Sequence, residues 1–203
     1  MSSADSDNQQ LQNRYRVAGQ LARTNLGEHE RHIASEKIAQ KITRSNWFQR
    51  AAFVACYLST ADEVDTWSII ECAWRMKKRV FAPVLKKNAV MQFCELTANT
   101  VFLVNQYGIA EPLHGETIAP RMLDIVITPV VAYDNAGHRI GAGGGYFDRA
   151  FSFLRGRKHL FHPKLIGVAF ACQEVEEITP NPLDIPLFAT VNDTNHDTNH
   201  DIS

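Results

Sequence analysis

The chain has 203 residues, 45% of them apolar and 21% charged, with a formal net charge of −1. That length fits one domain with a substantial core, and the absence of a basic excess argues against a general nucleic-acid surface. No apolar run reaches the roughly 18 residues of a membrane span, and the start MSSADSDNQQ lacks the apolar stretch of a secretory signal. Cys56, Cys72, Cys94 and Cys172 show neither CxxC nor disulfide-framework spacing, so a cytoplasmic protein with buried free thiols is expected.

Residues 1–10 read as a disordered lead. Leu11 to about Thr24 carries Arg14, Arg16 and Arg23 among helix formers, which composition alone reads as a solvated helix face. Glu28 to Ile42 predicts a second helix, with Ile38 and Ile42 one turn apart. Ala51 to Ser59 (AAFVACYLS) is a nearly continuous apolar run, the pattern of a strand buried on both faces of a parallel sheet. It empties into Thr60 to Thr66. Ligands of open α/β sheets sit beyond the carboxyl ends of strands, so Glu63 is placed either for a ligand or as an acid at a helix start. Asp65 or Thr66 caps the helix Trp67 to Lys78, which sets Ile70, Ala73 and Trp74 on its core side.

Arg79 to Leu85 (RVFAPVL) predicts the next strand, with Pro83 where the chain leaves the sheet toward a crevice. Ala89 to Leu96 predicts an antiparallel neighbour. Thr100 to Asn105 is apolar without a firm assignment, and Gln106 to Arg121 reads as loop. Asp124 to Ala132 (DIVITPVVA) is a second buried strand, followed by the turn Asp134-Asn135-Ala136-Gly137. Lys164 to Gln173 is the last clear strand, and Thr179 to Pro186 is a proline-rich loop holding Asp184. Beyond Val191 the chain repeats itself, with His196 and His200 at i,i+4 spacing. A metal site and a polar, duplicated tail are the two readings, and composition favours the tail. Apolar strands alternating with helices predict a single three-layer α/β/α domain over 11–191, its central sheet mixed but largely parallel, with a disordered tail over 192–203.

The densest signal is Arg139 to Arg149, RIGAGGGYFDR, with Gly141, Gly143, Gly144 and Gly145 inside five positions. An apolar strand precedes it and a helix-like stretch, Tyr146 to Leu154, follows. Glycines let backbone N–H groups approach an anion closely, and a helix start adds unpaired donors. The string is neither a Walker loop nor GxGxxG, and a bare glycine cluster is also an ordinary turn. Arg139, Asp148 and Arg149 beside it favour an anion, and Asp148 stands where a carboxylate holds the metal that accompanies a triphosphate.

This string resembles the signature of the 5-formyltetrahydrofolate cyclo-ligase (methenyltetrahydrofolate synthetase) family, usually RLGxGGGYYDR. YLSTADEVDT, KRVFAPVL with MQF, GIAEP, DIVITPVVAYDNAGHR, and IGVAFACQ with LDIPL fall in the family's order, so the likeness spans about residues 12 to 191, and LDIPL is the bacterial form. The resemblance implies a sugar-isomerase/CoA-transferase-like fold. It also implies ATP- and Mg²⁺-dependent closure of 5-formyltetrahydrofolate, with or without a polyglutamate chain, to 5,10-methenyltetrahydrofolate. By that resemblance Ile140, Gly141, Ala142, Gly143, Gly144, Gly145, Tyr146 and Phe147 surround ATP, and Gly143, Gly144 and Tyr146 also face the reacting group. Arg139 neutralises phosphate charge, and Arg16, with Arg14 beside it, supplies an N-terminal nucleotide contact. Leu58, Glu63 and Tyr146 meet the folate, while Asp148 and Asp184 hold Mg²⁺. Phe147 replaces the usual second Tyr, and Gly144 stands where some members have Lys. A folate- or nucleotide-binding protein without catalysis is the alternative. A monomer is expected, since no separate oligomerisation segment is visible.

Overall fold

The structure, a computed structural model, describes residues 3–86, 90–155 and 162–194. Seven strands form one sheet in the order β11-β10-β7-β1-β2-β3-β6. They are β1 (Phe53–Cys56), β2 (Arg79–Leu85), β3 (Met91–Leu96), β6 (Thr117–Ile118), β7 (Ile125–Pro129), β10 (Lys164–Val168) and β11 (Ala189–Val191). The run from β11 to β2 is parallel, whereas β3 and β6 pair antiparallel at one edge. Two ribbons stand apart: β4 (Phe102–Val104) with β5 (Ala110–Pro112), and β8 (Ala132–Tyr133) with β9 (Arg139–Ile140).

The apolar runs are continuous because the sheet is covered on both faces. Val54 and Cys56 of β1 and Ile125 and Ile127 of β7 face α2 (Glu28–Arg44), α3 (Asn46–Arg50) and α4 (Trp67–Arg75), against Ile38, Ile42, Phe48, Ile69 and Ile70. Ala55 and Val126, one residue out of phase, face Phe151 and Ile185, beside α5 (Tyr146–Ala150) and a 3-10 turn at Ser152–Leu154. The three layers are therefore unequal, helical on one side and mostly loop on the other.

Helix α1 (Ser3–Asn25) lies across the β8–β9 ribbon and the turn at Ala171–Gln173. Residues 3–10, expected as disordered, are its first turns. Polar composition hid this because the partners are distant carbonyls: the Asn8 amide donates to Thr179 O at 3.5 Å, and Gln12, one turn on, donates to the same oxygen at 3.0 Å. Arg23, assigned to a solvated face, is buried instead. Glycine at position 19 lets α1 sit close, since a Cβ there would lie 2.1 Å from Val131 O.

Other boundaries shift for local reasons. The Asp65 carboxylate takes the Trp67 N–H at 3.0 Å, while Thr66, the N-cap residue, turns its hydroxyl to Tyr57 O at 2.8 Å. Pro83 does not end pairing, for β2 runs on to Leu85 opposite Met91. The stretch 106–121 contains β5 and β6, short strands without a readable period. The helix expected over Tyr146 to Leu154 breaks after Ala150. The domain does not stop at 191, because Asn192 is buried and its amide donates to the Tyr133 hydroxyl at 2.9 Å. His196 and His200 lie outside the described residues. Among the described residues no helix is long and apolar enough to cross a membrane.

Candidate active site

The chain leaves β1 toward β2 on one side and later returns to place β7 on the other, so a switch point lies between β1 and β7. Crevices form there, beyond the strand ends. Tyr57 and Leu58 after β1, Pro129 ending β7, and Pro83 and Leu85 of β2 all line a cleft of about 520 Å³, a small-molecule size. Arg16, Leu58, Glu63, every residue from Arg139 to Asp148, and Asp184 line the same cleft. Of the residues that the resemblance assigns to the site, Arg14 does not line the cleft and lies exposed on α1.

One wall is the glycine loop. Gly143 has φ +100°, and a Cβ on Gly144 would meet the Tyr146 ring at 2.6 Å, so neither position accepts a side chain without rearrangement. No side chain caps α5, and its first N–H groups have no partner within the helix. At five residues this helix builds little dipole beyond its first turn, so its anion affinity comes from individual donors. Arg16 reaches from α1 to the loop, its Nε donating to Gly141 O at 2.9 Å. Arg149 holds Gly144 O at 2.7 Å.

Arg139 is the buried cation of this wall, its side chain 8% exposed. Its Nη2 donates to Asp148 Oδ1 at 2.9 Å and its Nη1 to Ile185 O at 2.5 Å. Burial pulls its pKa below the ordinary value, while Asp148 and Asp184 oppose that pull. The side chain of Ile140 belongs to a small core with Ala132 and Ile178, leaving backbone for the cleft. Phe147 stacks on Phe151 at 6.4 Å between ring centres.

Asp148 and Asp184 each commit one carboxylate oxygen. Asp148 Oδ1 accepts from Arg139 and from Ile185 N at 3.1 Å, and Asp184 Oδ2 from Asn181 N at 2.8 Å. Their other oxygens take no hydrogen bond among the described residues, where no three acidic, His or Cys side chains converge on one point. One or two carboxylates completed by water and phosphate is an ordinary Mg²⁺ donor set, so the pair fits such an ion with a phosphate ligand present.

The same cleft carries two further carboxylates, Glu63 and Glu111. Glu63 Oε2 accepts from Thr60 N at 3.0 Å, and Oε1 lies 3.5 Å from Arg23 of α1. Arg23 also grips Asp62 at 2.8 Å. Burial alone would raise the Asp62 carboxyl, but the Thr60 hydroxyl and Arg23 outweigh it and hold it below its ordinary value. Over the top, the β4–β5 ribbon brings Tyr107 to 2.9 Å from the Tyr146 hydroxyl. This bond raises the pKa of Tyr146.

Sequence reasoning missed Tyr107, Asn105, Glu111, Gln12 and Asn181, all on the cleft wall. GIAEP carried an acid beside an apolar pair, a signal for Glu111. Gln12 offered none, because its task is to meet Thr179 and Asn181, far away in sequence.

The 5-formyltetrahydrofolate cyclo-ligase family matches residues 8–193. The chain is 32% identical over 185 residues to the 5-formyltetrahydrofolate cyclo-ligase of Haemophilus influenzae, covering 89% of this chain and 97% of that one. The Escherichia coli K12 cyclo-ligase is 38% identical over 142 residues, 68% of this chain and 76% of that one. The NMR structure of Aquifex aeolicus 5,10-methenyltetrahydrofolate synthetase superposes with a TM-score of 0.78 at 28% identity, covering 91% of each chain.

Proposed function

Because the chain belongs to the 5-formyltetrahydrofolate cyclo-ligase family, we propose that it closes 5-formyltetrahydrofolate to 5,10-methenyltetrahydrofolate with ATP and Mg²⁺, releasing ADP and phosphate. One observation carries this reading. Cations and backbone amides (Arg16, Arg139, the glycine loop) and further carboxylates (Glu63, Glu111) line a single cleft. An anion and an N–H-rich ring can therefore meet there.

A formamide oxygen leaves poorly, which is why ATP is needed. The formyl oxygen attacks the γ-phosphorus as the bond to ADP breaks, giving an iminophosphate. N10 then attacks the formyl carbon, its proton goes to solvent, and the carbon–oxygen bond breaks to release phosphate. Such a sequence asks the protein for positioning and charge neutralisation. The amides of Gly143 to Tyr146 cradle the γ-phosphate and the formyl group. Arg139 and Arg16 balance phosphate charge, Arg139 from a buried position where its field is least screened. Asp148 and Asp184 would hold Mg²⁺, which supplies further neutralisation of the phosphate oxygens. Glu63 accepts from pterin N–H groups, and Leu58 and Tyr146 border the ring.

The test is the near-ultraviolet absorbance of the methenyl product, with ATP, Mg²⁺ or folate omitted in turn. A signal that needs all three supports the reading. Folate binding without product in the complete mixture would overturn it.

A further inference from the structure

Among the cleft's carboxylates, Glu111 alone has no task in the reaction above. It lies half-buried on β5 and lines the cleft with Glu63. Its Oε1 is saturated, accepting from Leu85 N at 3.0 Å and from the Asn105 amide at 2.7 Å. Asn105 is itself fixed, since its Oδ1 accepts from Tyr107 N at 2.8 Å and Ile109 N at 3.1 Å. The carboxylate is thus held in one orientation by two strands and a turn. Its Oε2 has no donor and no cation among the described residues. Glu63 differs, because both its oxygens are engaged and Arg23 stands beside it.

A half-desolvated carboxylate with one oriented, unshared oxygen asks its ligand for an N–H. Carbonyl oxygens and phosphates would be repelled. Within the reading proposed above, on which this inference rests, the tetrahydropterin ring carries several such donors (two ring N–H groups and an amino group), against the single amino group of adenine. We propose that Glu111 is a second substrate-binding carboxylate, its Oε2 accepting a pterin N–H and fixing the ring in the plane that aims the formyl oxygen at the glycine loop. The phosphate charge of ATP belongs with Arg16 and Arg139, so Glu111 acts on folate and not on nucleotide.

Glu111→Gln separates this from a structural role. The amide keeps an oxygen for Leu85 N and Asn105 and replaces only the free Oε2 with NH₂. The KM for 5-formyltetrahydrofolate should rise about ten- to a hundredfold, the loss expected for one hydrogen bond to a charged group, while the KM for ATP and the melting temperature hold. An unchanged folate KM, or equal rises for folate and ATP, would overturn the proposal. Should the variant not fold, carbon-13 glutamate-labelled wild-type protein decides. The Glu111 carboxyl resonance should move with 5-formyltetrahydrofolate and not with ATP alone, and no movement with folate would overturn the proposal. Wild-type protein without turnover would instead fail the reaction itself, a separate result.

Discussion

At the scale of single residues, Asp148, Asp184 and Glu111 each commit one carboxylate oxygen and keep the other open. Asp148 gives Oδ1 to Arg139 and Ile185 N and keeps Oδ2 open to the cleft. Asp148→Asn should keep an acceptor for both partners yet lower kcat by about 10²-fold or more, as expected when charge opposite a transferring phosphate is removed. Wild-type turnover in that variant, measured by product absorbance, would refute the metal role of Asp148. Gly144 is limited by space, since its missing Cβ is where the Tyr146 ring lies. Gly144→Ala should push that ring aside and break the Tyr107 contact. Tyr146 should then ionise at lower pH, because the Tyr107 hydroxyl is the main cause of its raised pKa. An ultraviolet titration of wild type and variant reads the difference.

At the scale of elements, α1 ties together three segments that the sequence keeps far apart. Gln12 meets the loop at Thr179, Arg16 the glycine loop, and Arg23 the Asp62–Glu63 turn. Arg23→Met would leave two partly buried carboxylates without their cation, a loss of about 1–3 kcal/mol given the residual exposure of Asp62. It should also raise the folate KM more than the ATP KM, because it is Glu63 that loosens. Gly19→Ala tests the same helix from its other side. A Cβ 2.1 Å from a backbone carbonyl cannot be relieved by a rotamer change. Helix α1 must lift, at a cost of about 2 kcal/mol or more, and urea unfolding should report it. Unchanged stability in this variant would mean that α1 does not dock as described. Neither contact was legible beforehand. Arg14, Arg16 and Arg23 look alike in composition; the resemblance set Arg16 apart, and the fold shows Arg14 exposed and Arg23 buried against the Asp62–Glu63 turn.

Over the whole molecule, what was legible followed from burial. AAFVACYLS and DIVITPVVA announce strands covered on both faces, and Val54/Ala55 and Ile125/Val126 divide between the two cores as such runs require. The glycine string announced its own wall. The ribbon β4–β5 was illegible because Val101, Leu103 and Val104 stand in solvent, so no burial period marks it. The same ribbon supplies Glu111 from β5 and Asn105 and Tyr107 from its turn, and these three went unread with it.

Stability of the whole should also depend on pH through Asp134. Burial would raise its carboxyl, but His138 and the N–H groups of Ile178 and His138 more than offset that and hold it below the ordinary value. The folded pKa thus lies below the unfolded value of about 3.9. The contribution is complete above that pH and fades as pH falls through the folded pKa. Urea midpoints from pH 7 to 3 should drop at the acid end, and Asp134→Asn, which sets an NH₂ against donors, should lower the pH 7 value and flatten that drop. An acid limb unchanged by the substitution would remove Asp134 from the account.

The central claim is that one cleft brings the formyl oxygen to the γ-phosphate. The most direct measurement uses 5-formyltetrahydrofolate labelled with oxygen-18 in the formyl group, with mass analysis of the released phosphate. The account predicts one labelled oxygen in each phosphate formed. Turnover with unlabelled phosphate would mean that the formyl oxygen never meets phosphorus, and would contradict it.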